Sequence, residues 1–303
     1  MSAARRKPKW PARIRTLLLH NPKSGDGRPG ADQLIVEACK LGLLVSYQST
    51  KDPRHKAALL QRWDLIVVAG GDGTVAKVAR RLRYRKTPII ILPIGTANNI
   101  ARSLGLNVQP LANFLTASLG NLNVGQARGP WGSLSFVESV GVGAIAAAIS
   151  QSQEKPPKPF RVATGREELG DYLEKVEPYH VEISVDGEVY VGEFLFVEVL
   201  NLSFSGPSLA VAFSAAPDDK FFDVVFLSEK ERRHMLDWLA GHPDKVPPPV
   251  VVHRGRKISI TWVGRPLRVD DRVYFHPETA TKVKIRFEAR SLKVLIPAMQ
   301  VIA

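Results

Sequence analysis

An α/β domain built on a parallel sheet, followed by a β-rich sandwich domain, is the fold this sequence predicts. Three observations carry the prediction. Up to Gly120, short apolar runs alternate with segments of helical spacing, the pattern of strands joined by crossover helices. Beyond Gly120 the apolar residues fall mostly at every second position, the period of half-buried strands. The chain has 303 residues, too many for one small core and enough for two ordinary domains. The expected domains are residues 1–122 and 123–290, with 291–303 returning to pack on the first.

Taken in order, residues 16–20 form a strand, and 21–30, rich in Gly, Pro, Ser and Asp, form a turn. Leu34, Ile35, Ala38 and Leu41 share one face of a helix over 31–41, which Gly42 ends. Residues 43–47 are a second strand, and Pro53 starts a helix that runs to Gln61. The runs 65–69 and 89–92 are wholly apolar and read as buried central strands. Each ends in a glycine-containing polar turn that opens a helix. Val75, Val78, Ala79 and Leu82 line one face of the first helix, and Ile100, Ala101 and Leu104 one face of the second.

Residues 110–119 read as a further helix, 120–132 as a linker and 136–149 as core. Val181, Ile183 and Val185 alternate with polar residues up to the hairpin turn Asp186-Gly187, and Val189 and Val191 resume the alternation. Further strands are expected over 194–200, 224–227, 250–252, 257–262, 273–275, 282–287 and 292–296, with one helix over 229–240. Residues 155–159, KPPKP, read as a stiff surface loop, and 247–249 as a connector.

Lys and Arg total 42 against 29 Asp and Glu, a net charge of +13. A balance this basic predicts an anionic partner: nucleic acid, a phosphorylated ligand or an acidic membrane surface. Arg5, Arg6, Lys7, Lys9, Arg13 and Arg15 load the N-terminus, and Arg80, Arg81, Arg83, Arg85 and Lys86 load the helix after the first glycine turn and its following loop. Nucleic acid is not expected, because no recognition motif or interleaved aromatic platform accompanies these groups. Anionic lipid headgroups and a merely solvated face remain. The one cysteine, Cys39, excludes an intrachain disulfide and reads as a small buried apolar side chain. The histidines show no metal-ligand spacing. The apolar run 16–19 is too short for a signal-peptide core, and no window approaches the length of a transmembrane helix. The expectation is a cytoplasmic protein whose contact with a membrane is peripheral, at its inner face.

Three polar glycine turns close three predicted strands of one parallel sheet, and open α/β sheets bind ligands at that edge. The first, NPKSG, comprises Asn21, Pro22, Lys23, Ser24 and Gly25. The second, GGDGT, comprises Gly70, Gly71, Asp72, Gly73 and Thr74. The third, PIGTANN, offers Gly95, Thr96, Asn98 and Asn99. Glycines let backbone approach phosphate oxygens, and unpaired amides at a helix start point at the charge. Asp72 beside phosphates requires a divalent cation or an acceptor hydroxyl to offset its charge; the plain alternative is a helix cap.

NPKSG, GGDGT and PIGTANNIARSLG, in this order and spacing, resemble the catalytic domain of the diacylglycerol kinase family, which includes bacterial soluble lipid kinases and is related to sphingosine kinases. The resemblance covers residues 14–106. GGDGT alone also occurs in NAD kinases and phosphofructokinases, and the PIGTANN loop separates the chain from those. The resemblance implies a nucleotide-binding α/β domain, a following β-sandwich that presents a lipid alcohol, a site in the cleft between them, and transfer of the ATP γ-phosphate with Mg²⁺. It carries the nucleotide contacts onto residues 21–25, 70–76 and Thr96, and more loosely onto Thr50. It also implies a structural Mg²⁺ on Asp219 with the carbonyls of Ala216 and Phe221. Lys220 stands where the family has glycine, and retention of that metal or its replacement by the lysine's own charge are both open.

The sharper departure lies near the C-terminus. The family carries Asp-Gly-Glu there, with the glutamate as general base, whereas this chain reads Asp270-Asp271-Arg272. Arginine accepts no proton. Three readings follow: Asp271 or Asp270 is a displaced base, Asp72 serves instead, or binding persists without transfer.

Overall fold

The computed structural model describes residues 6–151, 161–241, 243, 246–275 and 277–298; Arg5 and the expected loop 155–159 lie outside the described residues. Two units emerge, Met1–Leu122 with Arg290–Ala303, and Asn123–Ala289.

The first unit begins with β1 (Ile14–His20), α1 (Ala31–Lys40), β2 (Leu43–Ser49) and α2 (His55–Ala58). It continues with β3 (Leu65–Gly70), α3 (Asp72–Arg81), β4 (Pro88–Pro93), α4 (Asn99–Ser103), α5 (Ala112–Leu115) and β5 (Ser118–Leu122). The sheet order is β2-β1-β3-β4-β17-β5, where β17 is Leu292–Ile296 near the far end of the chain. All neighbours are parallel except β17 and β5. The central strands are apolar because both faces are covered: every residue of β3 is buried, and so is 89–93 of β4.

Two expectations fail here for the same reason. The helix expected over 110–119 stops at Leu115, and the linker expected from Gly120 begins inside a strand. Ser118–Leu122 pairs antiparallel with β17, so a partner remote in sequence overrides the local helical spacing of Leu111, Phe114 and Ala117. The helix expected to reach Gln61 is only the single turn α2. Cys39 is exposed rather than buried, since α1 turns Leu34 and Ala38 inward.

The second unit is antiparallel and β-rich, as expected. Its strands are β6 (Gly125–Gly129), β7 (Gly132–Phe136), β8 (Ser139–Gly143), β9 (Tyr179–Val185), β10 (Glu188–Leu200), β11 (Phe222–Ser228), β12 (Val251–Gly255), β13 (Lys257–Trp262), β14 (Leu267–Val269), β15 (Arg272–Tyr274) and β16 (Thr281–Phe287). The order is β15-β14-β8-β10-β9-β13-β16-β6-β7, and β11 branches from β10 to pair with β12. The turn between β9 and β10 is the expected Asp186-Gly187, with both residues at positive φ. One core holds Phe136, Val199, Phe222, Ile260 and Ile285, with the Phe222 and Phe287 rings stacked at 3.8 Å. On the other face of β10 and β11 lies a second core, covered by α6 (Ala144–Gln151), α7 (Arg161–Lys175) and α8 (Arg232–Ala240).

A buried charge pair runs through this sheet. Register places Gly141 of β8 between Glu198 of β10 and Arg268 of β14. The Arg268 Nε donates to one Glu198 carboxylate oxygen at 3.1 Å and a terminal nitrogen donates to the other at 3.0 Å. The guanidinium also reaches Ser139, Ser205, Glu138 and the Asp270 carbonyl. Burial pushes Arg268 down, but the carboxylates of Glu198 and Glu138 outweigh it and hold the charge above its ordinary range. The pair meets across β8 only because Gly141 has no side chain: a Cβ there would lie 1.9 Å from a Glu198 oxygen. Gly141→Ala is therefore expected to cost at least about 3 kcal/mol by prising apart a buried ion pair, measured by urea unfolding.

Candidate nucleotide site

β1, β2, β3 and β4 end level with one another, because His20 is in register with Ser49 and Ala69, and Gly70 with Pro93. The turns that follow therefore share one edge. The Asn21 amide donates to the Ala69 carbonyl at 2.9 Å and the Thr50 amide to the His20 carbonyl at 2.8 Å. All three glycine turns, and Thr50, belong to this edge.

The turns touch through backbone. A Cβ on Gly95 would lie 2.4 Å from the Cα of Gly71, and a Cβ on Gly25 2.3 Å from the Ile94 carbonyl oxygen. Gly25 also has φ +52°. The glycines thus serve loop-to-loop packing. Asn98, in the left-handed region, braces its own loop: its Oδ1 accepts from the Gly95 amide at 3.0 Å, and its Nδ2 donates to the carbonyls of Pro93 at 3.1 Å and Gly95 at 3.0 Å. Asn21 similarly accepts the Lys23 amide at 3.2 Å. Both side chains shape loops. Ser24, Thr74 and Asn99 are buried, while Pro22, Lys23 and Thr96 are exposed.

Asp72 opens α3, after Gly71 as N-cap, yet its carboxylate serves α4. The Ile100 amide donates to Asp72 Oδ1 at 2.9 Å, tying the second glycine turn to the third. Burial pushes the carboxyl above the usual range, against the opposing pull of the Ile100 and Asn99 amides. The helix-cap alternative is thus realised, but on the neighbouring helix.

The residues present fit a phosphorylated ligand. Thr50 Oγ1 is a buried hydroxyl oxygen with no protein partner at this edge. His20 is the residue that sequence reasoning passed over. It is buried at the end of β1, its Nδ1 lies 3.2 Å from the Tyr47 hydroxyl, and burial lowers its pKa, so the ring is neutral at the edge of the site.

A family model described as the diacylglycerol kinase catalytic domain matches residues 15–126. This stretch belongs to the diacylglycerol kinase catalytic-domain family. A diacylglycerol kinase of Bacillus subtilis is 26% identical over 234 residues, 71% of this chain and 74% of that protein. A probable lipid kinase YegS-like of Stenotrophomonas maltophilia is 24% identical over 247 residues, 74% of this chain and 75% of that protein. Among solved structures, a putative diacylglycerol kinase from Bacillus anthracis superposes with TM-score 0.71 at 19% identity, over 93% of this chain and 95% of that one. An NAD kinase from Archaeoglobus fulgidus in complex with ATP gives TM-score 0.52 at 14% identity, over 94% of each chain. These structures share the fold.

In the second unit, the residues matched to the diacylglycerol kinase base and metal positions are placed as follows. Asp270 has φ 51° at the turn from β14 to β15 and is buried. Its carboxylate accepts the Glu138 amide at 2.8 Å, the Val137 amide at 3.1 Å and the Ser139 amide at 3.3 Å. These bonds tie the Asp270 carboxylate to the backbone at the start of β8 and anchor the turn. Asp271 and Arg272 are exposed. Asp219 meets Arg254, while Lys220, exposed at φ 59°, takes the glycine's backbone conformation without supplying the charge. Among the described residues no cluster of three or more His, Cys, Asp or Glu is placed to hold a metal.

No helix of the described residues is long and apolar enough to cross a membrane. Gly95→Ala is expected to abolish nucleotide binding, seen as loss of a ligand-induced thermal shift, because the added methyl group forces the second and third turns apart.

Proposed function

We propose that the chain is an ATP-dependent lipid kinase that transfers the γ-phosphate to a lipid hydroxyl of the diacylglycerol type. The observation that carries the reading is the junction of three glycine turns at one sheet edge, joined by Asp72, within the stretch that matches the diacylglycerol kinase catalytic domain. The names of the relatives support a lipid as acceptor.

In this reading the open backbone of residues 21–25 and 70–74, with Thr50 and Thr96, binds the nucleotide. Mg²⁺, when bound, would supply charge neutralisation for the phosphates. Asp72 is the base we assign. Burial raises its proton affinity, which favours taking the acceptor hydroxyl's proton, whereas Arg272 cannot accept one and the Asp270 carboxylate is engaged by backbone amides. Asp271 retains an exposed carboxylate as the alternative acceptor. The basic groups at Arg80, Arg81, Arg83 and Lys86 favour approach to an anionic membrane surface, at about 1 kcal/mol per charge near that surface.

Incubation with labelled ATP, Mg²⁺ and a panel of lipid alcohols tests the reading; no labelled lipid from protein that still binds ATP would sink it. Asp72→Asn keeps an acceptor for the Ile100 amide but removes the base, and is expected to lower kcat by ~10²–10⁴-fold. Since the base must be deprotonated, the rate should rise with pH through the raised pKa of Asp72. The acid limb then lies above the ordinary carboxylate value of about 4, and a limb at that ordinary value would count against the assignment.

A second reading, nucleotide binding with weak transfer, is favoured by one observation: the exposed position matched to the family base holds Arg272. It predicts that Arg272→Glu raises turnover at least ~10-fold. Robust wild-type turnover that Asp72→Asn abolishes would exclude it.

A further inference from the structure

The turn before β11 is the place where a structural Mg²⁺ is expected, and its donors do not fit one. Each Asp219 carboxylate oxygen is taken: Oδ1 accepts the Phe221 amide at 2.8 Å, and Oδ2 meets a terminal nitrogen of Arg254. The same guanidinium faces a second carboxylate, with Arg254 Nε 3.5 Å from Asp223 Oδ1. Asp223 is fully buried. Arg254 reaches both acids because it sits directly opposite Asp223 in the β11–β12 ladder. The Phe221 ring lies under the cations from the other side, 4.9 Å from the Arg254 guanidinium and 4.4 Å from that of Arg256.

Magnesium demands near-octahedral oxygen coordination at about 2.0–2.1 Å and gives up water reluctantly. At this turn it would have to displace a guanidinium that already meets Asp219 Oδ2 and lies 3.5 Å from Asp223 Oδ1. We propose that Arg254 is the resident cation of the Asp219–Asp223 turn, so that the second unit carries its own counter-ion there and binds no divalent metal at that turn. The assignment moves the charge from Lys220, the residue that sequence pattern singled out, to a residue on the neighbouring strand. It is independent of the kinase reading, since none of these residues belongs to the nucleotide edge.

Arg254 is the cation that faces the buried Asp223 carboxylate. Asp223 without Arg254 would be an uncompensated charge inside a β-sheet, which is strongly destabilising. The variant Arg254→Ala should therefore lower the thermal midpoint by roughly 5–10 °C. Arg254→Lys keeps the charge and loses the fork, and should fall between Arg254→Ala and the wild type; it keeps the test informative if the alanine variant does not fold.

Metal binding is the decisive measurement. Nucleotide-free full-length protein is titrated with Mn²⁺ and the bound ion counted by electron paramagnetic resonance, for the wild type and for Asp219→Asn. Equal stoichiometry in the two, with a wild-type thermal midpoint that EDTA leaves unchanged, is the expected result. Loss of one bound Mn²⁺ in Asp219→Asn, or an EDTA-sensitive wild-type midpoint that Asp219→Asn makes insensitive, would overturn the proposal. So would an Arg254→Ala protein as stable as the wild type.

Discussion

The first unit depends on a backbone-to-backbone approach. Gly71 and Gly95 close together without room for a methyl group, and Gly25 packs on Ile94 with the same tolerance. This closeness lets one carboxylate, Asp72, stand at the start of α3 and still accept an amide from α4. The parallel register of β1, β3 and β4 brings the turns level, but the glycines decide that they meet. A sheet edge with the same topology and bulkier turns would hold its loops apart.

Much of that arrangement was legible in the sequence, and the parts that were not share a cause. The strands β3 and β4 were readable because both faces are buried and the apolar runs are unbroken. The face formed by Val75, Val78, Ala79 and Leu82 is buried as its spacing predicts. What could not be read was anything set by a distant partner. Ser118–Leu122 is a strand because β17 lies beside it, and nothing within residues 110–122 says so. The helix α7 escaped notice for a different reason: Leu169 and Leu173 are its buried residues, and Gly165 and Gly170 lower its intrinsic propensity. At the site, the turns lie where the motif spacing put them, and the Asn21 and Asn98 side chains accept amides of their own loops, which motif spacing does not show.

The acidic residues show how environment, not identity, assigns a role. Asp72 and Asp270 both accept backbone amides. Asp270 collects amides from Val137, Glu138 and Ser139, and so its charge is stabilised where it stands. Asp72 accepts the Ile100 and Asn99 amides, but burial is the larger influence and raises its proton affinity. Asp223 forms a third case, pushed up to about 6 by burial despite the pull of Arg254.

The second unit solves its charge problems with arginine. Arg268 lies within the sheet and answers Glu198 and Glu138; Arg254 lies at the edge of the ladder and answers Asp219 and Asp223. Guanidinium suits both places because it is planar, always charged and weakly hydrated, and it can face more than one acceptor at fixed geometry. A divalent ion at the surface turn would be lost to a chelator, whereas a side chain cannot be. The same substitution logic reaches Arg272, where an exposed guanidinium replaces an expected carboxylate. There it stands exposed beside the exposed carboxylate of Asp271, so its effect falls on the local charge rather than on the packing of the sheet.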